Sequence, residues 1–394
     1  MTGGFGKECT LCGACVHVCP VGCIDLLPDS DHKGQIRAVI DTDRCVACHQ
    51  CEGHCHLLGE VPFKKIQKAY AAVAADANYR KNGASGGAFA ALAERCLQNG
   101  GIVFGCMWRK ETWEAVHVKI EDVKDLGVLQ GSKYVYSSTA DSYVQARDAL
   151  KQGRTVLYAG RPCQIAGLYS FLRKKYDNLI TVDLVCHGVP DGKLFQEYID
   201  YYEKKHGCRV VDWNFRAHSN GRQGCFGELT LEKKGKVIKK PLLWNCDSYY
   251  STFMHAISYR EECYSCHYAR QSRVGDITLG DFWGIEHVFP GAVAGNISLV
   301  LANSQAGENL VKDCAQLTVE EVDIESACAH NGQLNAPVEK PENSGSFWEL
   351  YRNGGWKAID EKFLNQTKKK RLVAYAVYYF PQNLKKYIRK LRRR

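Results

Sequence analysis

The chain has 394 residues, of which 45% are apolar and 24% are charged, and its formal net charge is +9. This composition is ordinary for a globular protein of two or three domains, and no apolar run is long enough to span a bilayer. The N-terminus lacks a basic segment followed by an apolar one, so we expect a cytoplasmic protein without a secretory signal.

The first 60 residues contain a duplicated cysteine pattern, in a chain with 20 cysteines. CTLCGACVHVCP has the spacing C-x2-C-x2-C-x3-C-P, and CVACHQCEGHC repeats the spacing further along. In such a repeat the first three cysteines of each run bind one 4Fe–4S cluster, and the fourth cysteine binds the other. The predicted ligands are Cys9, Cys12, Cys15 and Cys55 for the first cluster, and Cys45, Cys48, Cys51 and Cys19 for the second.

Zinc is the alternative reading of these cysteines. Zinc sites usually combine one C-x2-4-C pair with a second pair or with histidines, so three evenly spaced cysteines favour iron–sulfur clusters. The intervening segments IDLLP and IRAVIDTDRC predict two short hairpins. His56 follows Cys55 where the usual pattern has a proline, as Pro20 follows Cys19, and this affects the loop without removing a ligand. Cys23 is a further thiol that we expect to pack beside the cluster.

The next three hundred residues predict alternating strands and helices. GGIVFGCMW and EAVHVKI are strand-like, a helix is expected from Ser142 to Gly153, and TVLYAGRPCQIAGLYSFL predicts a buried strand, a turn and a helix. TVDLVCHGVPDGKLFQEYIDYYEKKHG repeats that order. This alternation predicts an α/β domain with functional turns at strand ends, and residues 209–260 predict a β-rich insertion.

A small-residue turn, Ser85-Gly86-Gly87, precedes a predicted helix from Ala88 to Leu97. Small residues at a helix start let an anion such as phosphate approach the free backbone N–H groups. A serine N-cap in a tight turn explains the same string, so this motif alone leaves both interpretations open.

Four further cysteines predict a third metal site. Cys163 and Cys186 each lie on a turn directly after an apolar strand, and two parallel neighbouring strands would bring those turns together. Cys263 and Cys266 form a C-x-x-C pair that can supply two more thiolates. A redox-active C-x-x-C usually begins a helix, whereas this one continues towards a strand. From spacing alone, a third iron–sulfur cluster, a zinc site and free thiols all remain open.

Five motifs in a fixed order resemble the beta subunit of coenzyme F-420 hydrogenase/dehydrogenase. They are SGGAFAAL, GSKYVYS, GRPCQIAGL, LVCHGVPDGKLF and CYSCHYARQSRVGDITLGDFWG. The resemblance covers most of residues 1–365, including bacterial members that carry an N-terminal two-cluster ferredoxin. It implies FAD beside a third 4Fe–4S cluster, which joins one-electron carriers to a two-electron substrate.

The resemblance also implies roles for individual residues. The residues expected at the flavin are Ser85, Gly86 and Gly87 at its phosphates, and Ser132, Lys133 and Tyr134 nearby. A lysine there can neutralise a phosphate or a reduced flavin, although a plain surface lysine is the alternative. His187 and Tyr134 are the candidate catalytic proton donors, and either can instead be a hydrogen-bonded structural residue.

This chain departs from the family pattern at its substrate segment. Many relatives have an Arg-Asp-Lys segment followed by Gly-Trp, whereas FRAHSNGRQG echoes it only at Phe215, Arg216 and Gly221. The electron donor can therefore be ferredoxin or a deazaflavin, and the small organic substrate is not identified by the sequence.

The C-terminal tail is strongly basic. Residues 368–394 carry eleven Lys or Arg and no Asp or Glu, so the rest of the chain is nearly neutral. Short apolar and aromatic runs with basic flanks suit an interfacial helix on an anionic membrane or contact with an acidic partner. A solvated helix is the alternative, and no nucleic-acid-binding module is recognised.

Together these features predict a mixed α+β and α/β protein in three parts. Residues 1–60 form a bacterial-type two-cluster 4Fe–4S ferredoxin domain, residues 61–365 an α/β flavin-binding domain with a β-rich insertion, and residues 366–394 a basic amphipathic tail. The predicted function is an iron–sulfur flavoprotein oxidoreductase, with the reductase direction favoured. The alternative is a non-catalytic electron-transfer subunit of a larger redox complex.

Overall fold

A computed structural model describes residues 8–29, 35–217, 226–293, 295–363 and 368–379. Its strands are β1 Ile24–Asp29, β2 Gln35–Ile40, β3 Lys68–Ala74, β4 Ile102–Arg109, β5 Glu114–Ile120, β6 Ser137–Ser138, β7 Val156–Ala159, β8 Leu179–Leu184, β9 Arg209–Asn214, β10 Phe226–Lys233, β11 Lys236–Leu243, β12 Ile277–Asp281, β13 Ser298–Ala302 and β14 Leu317–Val322.

Its α-helices are α1 Ala14–Val18, α2 Gln50–Gly53, α3 Ala77–Asn82, α4 Ala88–Gln98, α5 Ser142–Lys151, α6 Pro162–Leu172, α7 Gly192–His206, α8 Ser248–Met254, α9 Ile285–Val288, α10 Gln305–Lys312, α11 Ile324–Ala329, α12 Ser344–Ala358 and α13 Lys368–Tyr379. Short 3-10 helices cover Val123–Leu129, Glu261–Ser265 and Gly332–Leu334, and a π-helix covers Ile359–Phe363.

A mixed sheet forms the centre of the body, which we define as residues 61–363. Its strand order is β14-β3-β13-β12-β8-β7-β4-β5-β6. The four central strands β12, β8, β7 and β4 run parallel, and β7 and β8 are direct neighbours. The strand β7 is buried along its whole length, as expected of a parallel strand covered on both faces. The predicted α/β organisation is confirmed.

The predicted β-rich insertion is a separate antiparallel sheet with the order β11-β10-β9. The prediction of β structure up to residue 260 is wrong at its end, where the chain forms α8. Asp247 caps that helix by accepting a hydrogen bond from the backbone N–H of Tyr250 at 2.9 Å. The helix buries Tyr249, Tyr250 and Phe253 in an aromatic core, and this tertiary packing overrides the β preference of aromatic residues.

The N-terminal part, residues 8–60, is named the cysteine-rich segment here. Its two predicted hairpins are wrong as separate units, because β1 and β2 pair with each other over Ile24↔Ile40 to Asp29↔Gln35. Each cysteine run contains a short helix, α1 with Cys15 in the first run and α2 with Cys51 in the second. The segment packs on the body through α1, which contacts α5 and α6.

The basic tail is described only as far as Tyr379. Arg371 of α13 pairs with Asp360 at 3.1 Å, while the Leu372 side chain is 74% exposed. The predicted tail residues 366, 367 and 380–394 lie outside the described residues, as does Gly221. Among the helices described here, none has the length and apolar character needed to cross a bilayer.

Candidate functional site

The four cysteines predicted for the first cluster line a single cavity. Cys9, Cys12 and Cys15 come from the first run and Cys55 from the end of the second, and they surround a space of about 370 Å³. Burial raises the pKa of the Cys15 thiol to about 12. The swapped fourth ligand that the spacing predicts is therefore near the other three in space.

The two cysteine runs share an unusual backbone. Leu11 and Gly13 in the first run have φ of 52° and 85°, and the equivalent Ala47 and His49 in the second have φ of 52° and 56°. Residues alternating into the left-handed region turn successive backbone N–H groups towards one side, which forms a nest for an anionic group. The sequence duplication is thus matched by a duplicated loop conformation.

The cysteines predicted for the second cluster are more exposed. Cys45 and Cys48 are exposed, and Cys51 is half-buried. The Cys19 sulfur lies 3.5 Å from the sulfur of buried Cys23, which in turn is an electrostatic neighbour of Cys45. Cys23 therefore packs beside this second group, as the sequence predicts.

The four cysteines predicted for the third site line another cavity, which is partly open to solvent. Its wall includes Cys163, Cys186, Cys263, Cys266, Arg161, His187, Tyr268, Glu262, Gln333 and Val338. Burial raises the pKa of the Cys266 thiol to about 12. Among the described residues, no three Cys, His, Asp or Glu side chains are close enough to hold a single metal ion.

The parallel strands β7 and β8 explain how two of these thiols meet. Cys163 begins α6 directly after β7, and Cys186 follows β8, so both lie at the carboxyl edge of the sheet. The third segment is tied to the same edge by the buried pair of Arg273 and Asp183, whose nearest N and O atoms are 3.1 Å apart. Arg273 also donates to the backbone carbonyl of Tyr268 at 2.9 Å, which holds the loop after Cys266 in place.

A buried guanidinium lies beside the third cavity. Arg161 is 8% exposed, and its closest side-chain hydrogen bonds, to Gln164 and to the Ser137 carbonyl, are long at 3.3 and 3.4 Å. Among the described residues it forms no ion pair with a carboxylate, and the thiols of Cys163 and Cys186 are among the groups that act on it electrostatically. The cavity therefore has a fixed positive charge on its wall.

The first and third cavities are neighbours. Thr10 lines both, and the Cys12 and Cys163 thiols are close enough to interact electrostatically. Helix α6 approaches the first cysteine run so closely that a Cβ on Gly167 would lie 2.6 Å from the Cβ of Cys12. On the opposite side the hydroxyl of Thr139 donates to the Cys12 carbonyl at 3.1 Å.

A network of buried charges fixes this interface. Arg260, which is fully buried, pairs with Asp191 at 2.7 Å and with Glu262 at 2.5 Å, and it donates to the backbone carbonyl of Ile36 in β2 at 3.0 Å. Arg37 of β2 pairs with the same Glu262 at 3.3 Å. Because Glu262 precedes Cys263, the network connects the cysteine-rich segment to the wall of the third cavity.

The two glycines predicted at the flavin phosphates have a packing role in the protein. A Cβ on Gly86 would lie 2.4 Å from the Ala72 carbonyl of β3, and Gly87 has φ of 83° with a Cβ position 2.9 Å from Tyr79. Only glycine allows α4 to start this close to the sheet. Gly87 is the N-cap of α4 and no side chain caps its first turn, so those backbone N–H groups are not used by a side-chain cap.

Lys133 is not a plain surface lysine. Its ammonium group donates to the carbonyl of Gln130 at 2.8 Å and approaches the Leu129 and Gly131 carbonyls at 3.4 and 3.3 Å, so it caps the 3-10 helix Val123–Leu129. Burial lowers the pKa of Lys133. Half-buried Ser132 precedes it in the same loop.

The structure brings the two predicted flavin segments together through Arg216. Its guanidinium donates to the Ala84 carbonyl at 2.9 Å and to the Tyr134 hydroxyl at 3.4 Å, and it pairs with Asp281 at 2.7 Å. Ala84 directly precedes Ser85. The sequence signalled Arg216 only as a partial echo of a family motif, and Asp281, at the end of β12, lies in the last of the five motifs without a predicted role there.

The two predicted proton donors both lie near this ion pair. His187 is exposed on the wall of the third cavity, and the charged groups acting on it are Asp281 and Arg216. The Tyr134 ring stacks on Phe253 with a centroid distance of 4.2 Å. The site therefore lies between the third cavity and the loops predicted at the flavin.

Comparison with known proteins finds matches for both the cysteine-rich segment and the body. The family description "Coenzyme F420 hydrogenase/dehydrogenase, beta subunit" matches with its N-terminal part at residues 69–142 and its C-terminal part at residues 153–326. A 4Fe–4S dicluster domain matches residues 8–57. These matches make the chain an iron–sulfur redox protein and confirm the predicted dicluster domain.

One solved structure with a detectable likeness is from the F420-reducing NiFe hydrogenase complex of Methanosarcina barkeri, studied by xenon derivatization. The identity is 19% and the TM-score 0.43, over 75% of this chain and 90% of that one. No protein of curated function matches the chain.

Proposed function

Because the chain belongs to the coenzyme F420 hydrogenase/dehydrogenase beta-subunit family, we propose that it is an iron–sulfur flavoprotein oxidoreductase. Electrons enter from a one-electron donor at the cysteine-rich segment and reduce a small organic substrate at the body. That one-electron donor is a reduced ferredoxin; a deazaflavin carries a hydride, so it would instead donate an electron pair at the body. The observation that carries this proposal is the contact between the first and third cysteine cavities, which share Thr10.

The order of the cysteine groups supports electron entry at the second cluster. Its ligands Cys45 and Cys48 are exposed, whereas Cys12 of the first group is 9% exposed and packs against α6. Clusters of the 4Fe–4S type exchange single electrons, so three groups in succession make a path from the surface to the body. The thiols of Cys19 and Cys51 extend this path from the second group to the first.

The charge on the wall of the third cavity fits an iron–sulfur cluster there. Four neutral thiols would leave the buried Arg161 without an anion, which is costly in a protein interior. Four thiolates on a cluster carry negative charge, and Arg161 lies beside Cys163, Cys186 and Cys263. These three cysteines and Cys266 are therefore the proposed ligands.

The loops at Ser85–Gly87 and Ser132–Tyr134 fit a flavin in the same way. The first turn of α4 offers uncapped backbone N–H groups for a phosphate, and two basic side chains lie nearby: Lys133, whose ammonium caps a 3-10 helix, and Arg216, which pairs with Asp281. FAD bound there would accept electrons singly and release them in pairs. Tyr134 would orient the bound ring, and His187 would hold the proton that the substrate receives.

The second candidate is a non-catalytic electron-transfer subunit of a larger redox complex. The description of the family as a beta subunit favours it. In that case an acidic partner would contact the basic tail and a second enzyme would carry the substrate. We also propose that the protein is cytoplasmic and that its basic tail binds peripherally to an anionic membrane surface.

Anaerobic purification with iron, sulfide and flavin analysis tests the proposal. We expect three clusters and one FAD per chain. We also expect the FAD of the isolated protein to become reduced when a one-electron donor is added. Cys266→Ser should then lose the iron of one cluster and slow flavin reduction, while Cys96→Ser, a buried cysteine outside the three groups, should keep both. A protein with clusters and no flavin would favour the electron-transfer subunit.

A further inference from the structure

His56 is buried where the cysteine-rich segment meets the body, and the proposed electron path does not use it. Its side chain is 3% exposed. The equivalent residue after the first cysteine run is Pro20, which is exposed. The two halves of the duplication thus have different residues at one position, and only the second half has a buried polar ring there.

Both ring nitrogens of His56 are hydrogen-bonded, and their partners lie on opposite sides. Nε2 is 2.9 Å from the Thr10 hydroxyl, and Nδ1 is 2.5 Å from the Tyr268 hydroxyl. Thr10 follows the first-cluster cysteine Cys9, and Tyr268 lies two residues after Cys266 of the third cavity. One neutral imidazole therefore connects the walls of both cavities.

The geometry assigns His56 as a positioning residue that fixes the first cysteine group against the third cavity, and this inference rests on the proposed function. The loop has a second attachment through the carbonyls of Leu11 and Cys12, which accept from Tyr136 at 2.8 Å and from Thr139 at 3.1 Å. Those bonds hold one side of the loop.

Cys55, the fourth cysteine of this group, lies outside the loop, and the neighbouring His56 holds the other side of the loop through its bond to Thr10. The close contact between Cys12 and Gly167 of α6 is a van der Waals contact, which has no preferred direction. A hydrogen bond is directional, so the bonds of His56 prevent the loop from pivoting about its first attachment. Loss of those bonds would change the separation of the two cysteine groups without removing a ligand.

His56→Pro tests the assignment, because proline is the residue at the equivalent position 20. Tyr268→Phe removes the same hydrogen bond from the other side with the loss of one oxygen. His267→Asn is the matched control, since His267 lies in the same loop and forms an exposed pair with Glu8 at 3.3 Å, also across the interface. Exposed pairs of this kind contribute little.

The measurements are iron and flavin content, hydrogen exchange, and the rate of flavin reduction after a one-electron donor is added. We expect the two bridge variants, His56→Pro and Tyr268→Phe, to keep the iron and flavin content of the wild type. Amide exchange should rise in residues 8–15 and 263–273, and flavin reduction should slow by about tenfold, the lower end of what loss of an outer-shell partner costs a metal site. The control should match the wild type.

Unchanged exchange and an unchanged rate in both bridge variants would overturn the assignment. Loss of iron from Tyr268→Phe would also overturn it, because His56 would then be needed for cluster assembly. If the wild type lacks a third cluster or FAD, the proposed function fails while the exchange measurement still reports on the bridge. The two failures are thereby distinguished.

Discussion

The two cysteine runs have the same local backbone and opposite surroundings. Both carry left-handed residues at the same two positions and both contain a short helix. Yet Cys12 is buried against α6, while its equivalent Cys48 is exposed. The spacing of the cysteines therefore sets the loop conformation, and the interface with the body decides which half faces inwards.

Because of this difference, the two runs of the duplicated segment can have different roles. The exposed run is accessible to a partner, and the buried run contacts the wall of the third cavity. Substitutions at matched positions in the two runs, or at the interface and away from it, should therefore have unequal effects. The following predictions run from the largest expected effect to the smallest.

Arg260→Met should have the largest effect on stability. It removes the cation shared by Asp191 and Glu262 and leaves two buried carboxylates without it, a change that costs about 3–5 kcal/mol. Thermal unfolding of the anaerobic protein, with its iron content, measures the loss. Arg44→Met is the matched control, because Arg44 directly precedes the exposed run and donates to the backbone carbonyls of Val21 and Gly22 without pairing with a buried carboxylate among the described residues. Equal losses in the two variants would contradict the comparison.

Gly13→Ala should be the next most damaging change. Its φ of 85° is unfavourable for alanine, and the new Cβ would lie 2.5 Å from the Thr139 hydroxyl oxygen. Strain and overlap together should cost about 2–3 kcal/mol. The equivalent His49→Ala in the exposed run should change stability by less than about 0.5 kcal/mol. Thermal unfolding distinguishes them, and a Gly13→Ala protein as stable as His49→Ala would refute the prediction.

Thr139→Val should have a moderate effect. The side chain keeps its shape and loses the hydroxyl that donates to the Cys12 carbonyl, so a buried acceptor is left unsatisfied at a cost of about 1–2 kcal/mol. The same substitution at Thr42, which is exposed next to the second run, should have no measurable effect. The comparison is again made by thermal unfolding, and similar values at both positions would count against it.

Val46→Ser should leave stability unchanged within about 0.5 kcal/mol, because the Val46 side chain is already 60% exposed. If the exposed run receives the electron donor, this variant should raise the apparent KM for a reduced ferredoxin while kcat is kept. Val237→Ser on β11, where the side chain is 66% exposed, is the control for removal of an apolar surface group. If the KM rises equally in both variants, or in neither, the donor does not bind at Val46.

Local patterns in the sequence predicted much of the fold. The strand and helix alternation gave β7, α6, β8 and α7 in the right order, because buried parallel strands and amphipathic helices have distinct periodicities. Helix α8 was missed, since its aromatic residues favour strands until the surrounding core is known. The prediction of two separate hairpins missed the pairing of β1 with β2, although strands that follow one another in sequence often pair.

The candidate site likewise has features that the sequence predicted and features that only the structure decided. The cysteine spacing by itself determined the dicluster domain, because metal geometry requires fixed intervals along the chain. The sequence also named the four cysteines of the third group, and the parallel pairing of β7 and β8 together with the pair of Arg273 and Asp183 decided that they line one cavity.

Only the tertiary structure revealed the charges around these sites. Arg161, Arg216 and Asp281 carry no spacing signal, since each acts on groups that are remote in sequence. The same is true of His56, whose two partners are Thr10 and Tyr268. Covalent spacing fixes what a short loop can bind, whereas burial and charge at an interface depend on which surfaces the folded chain brings together.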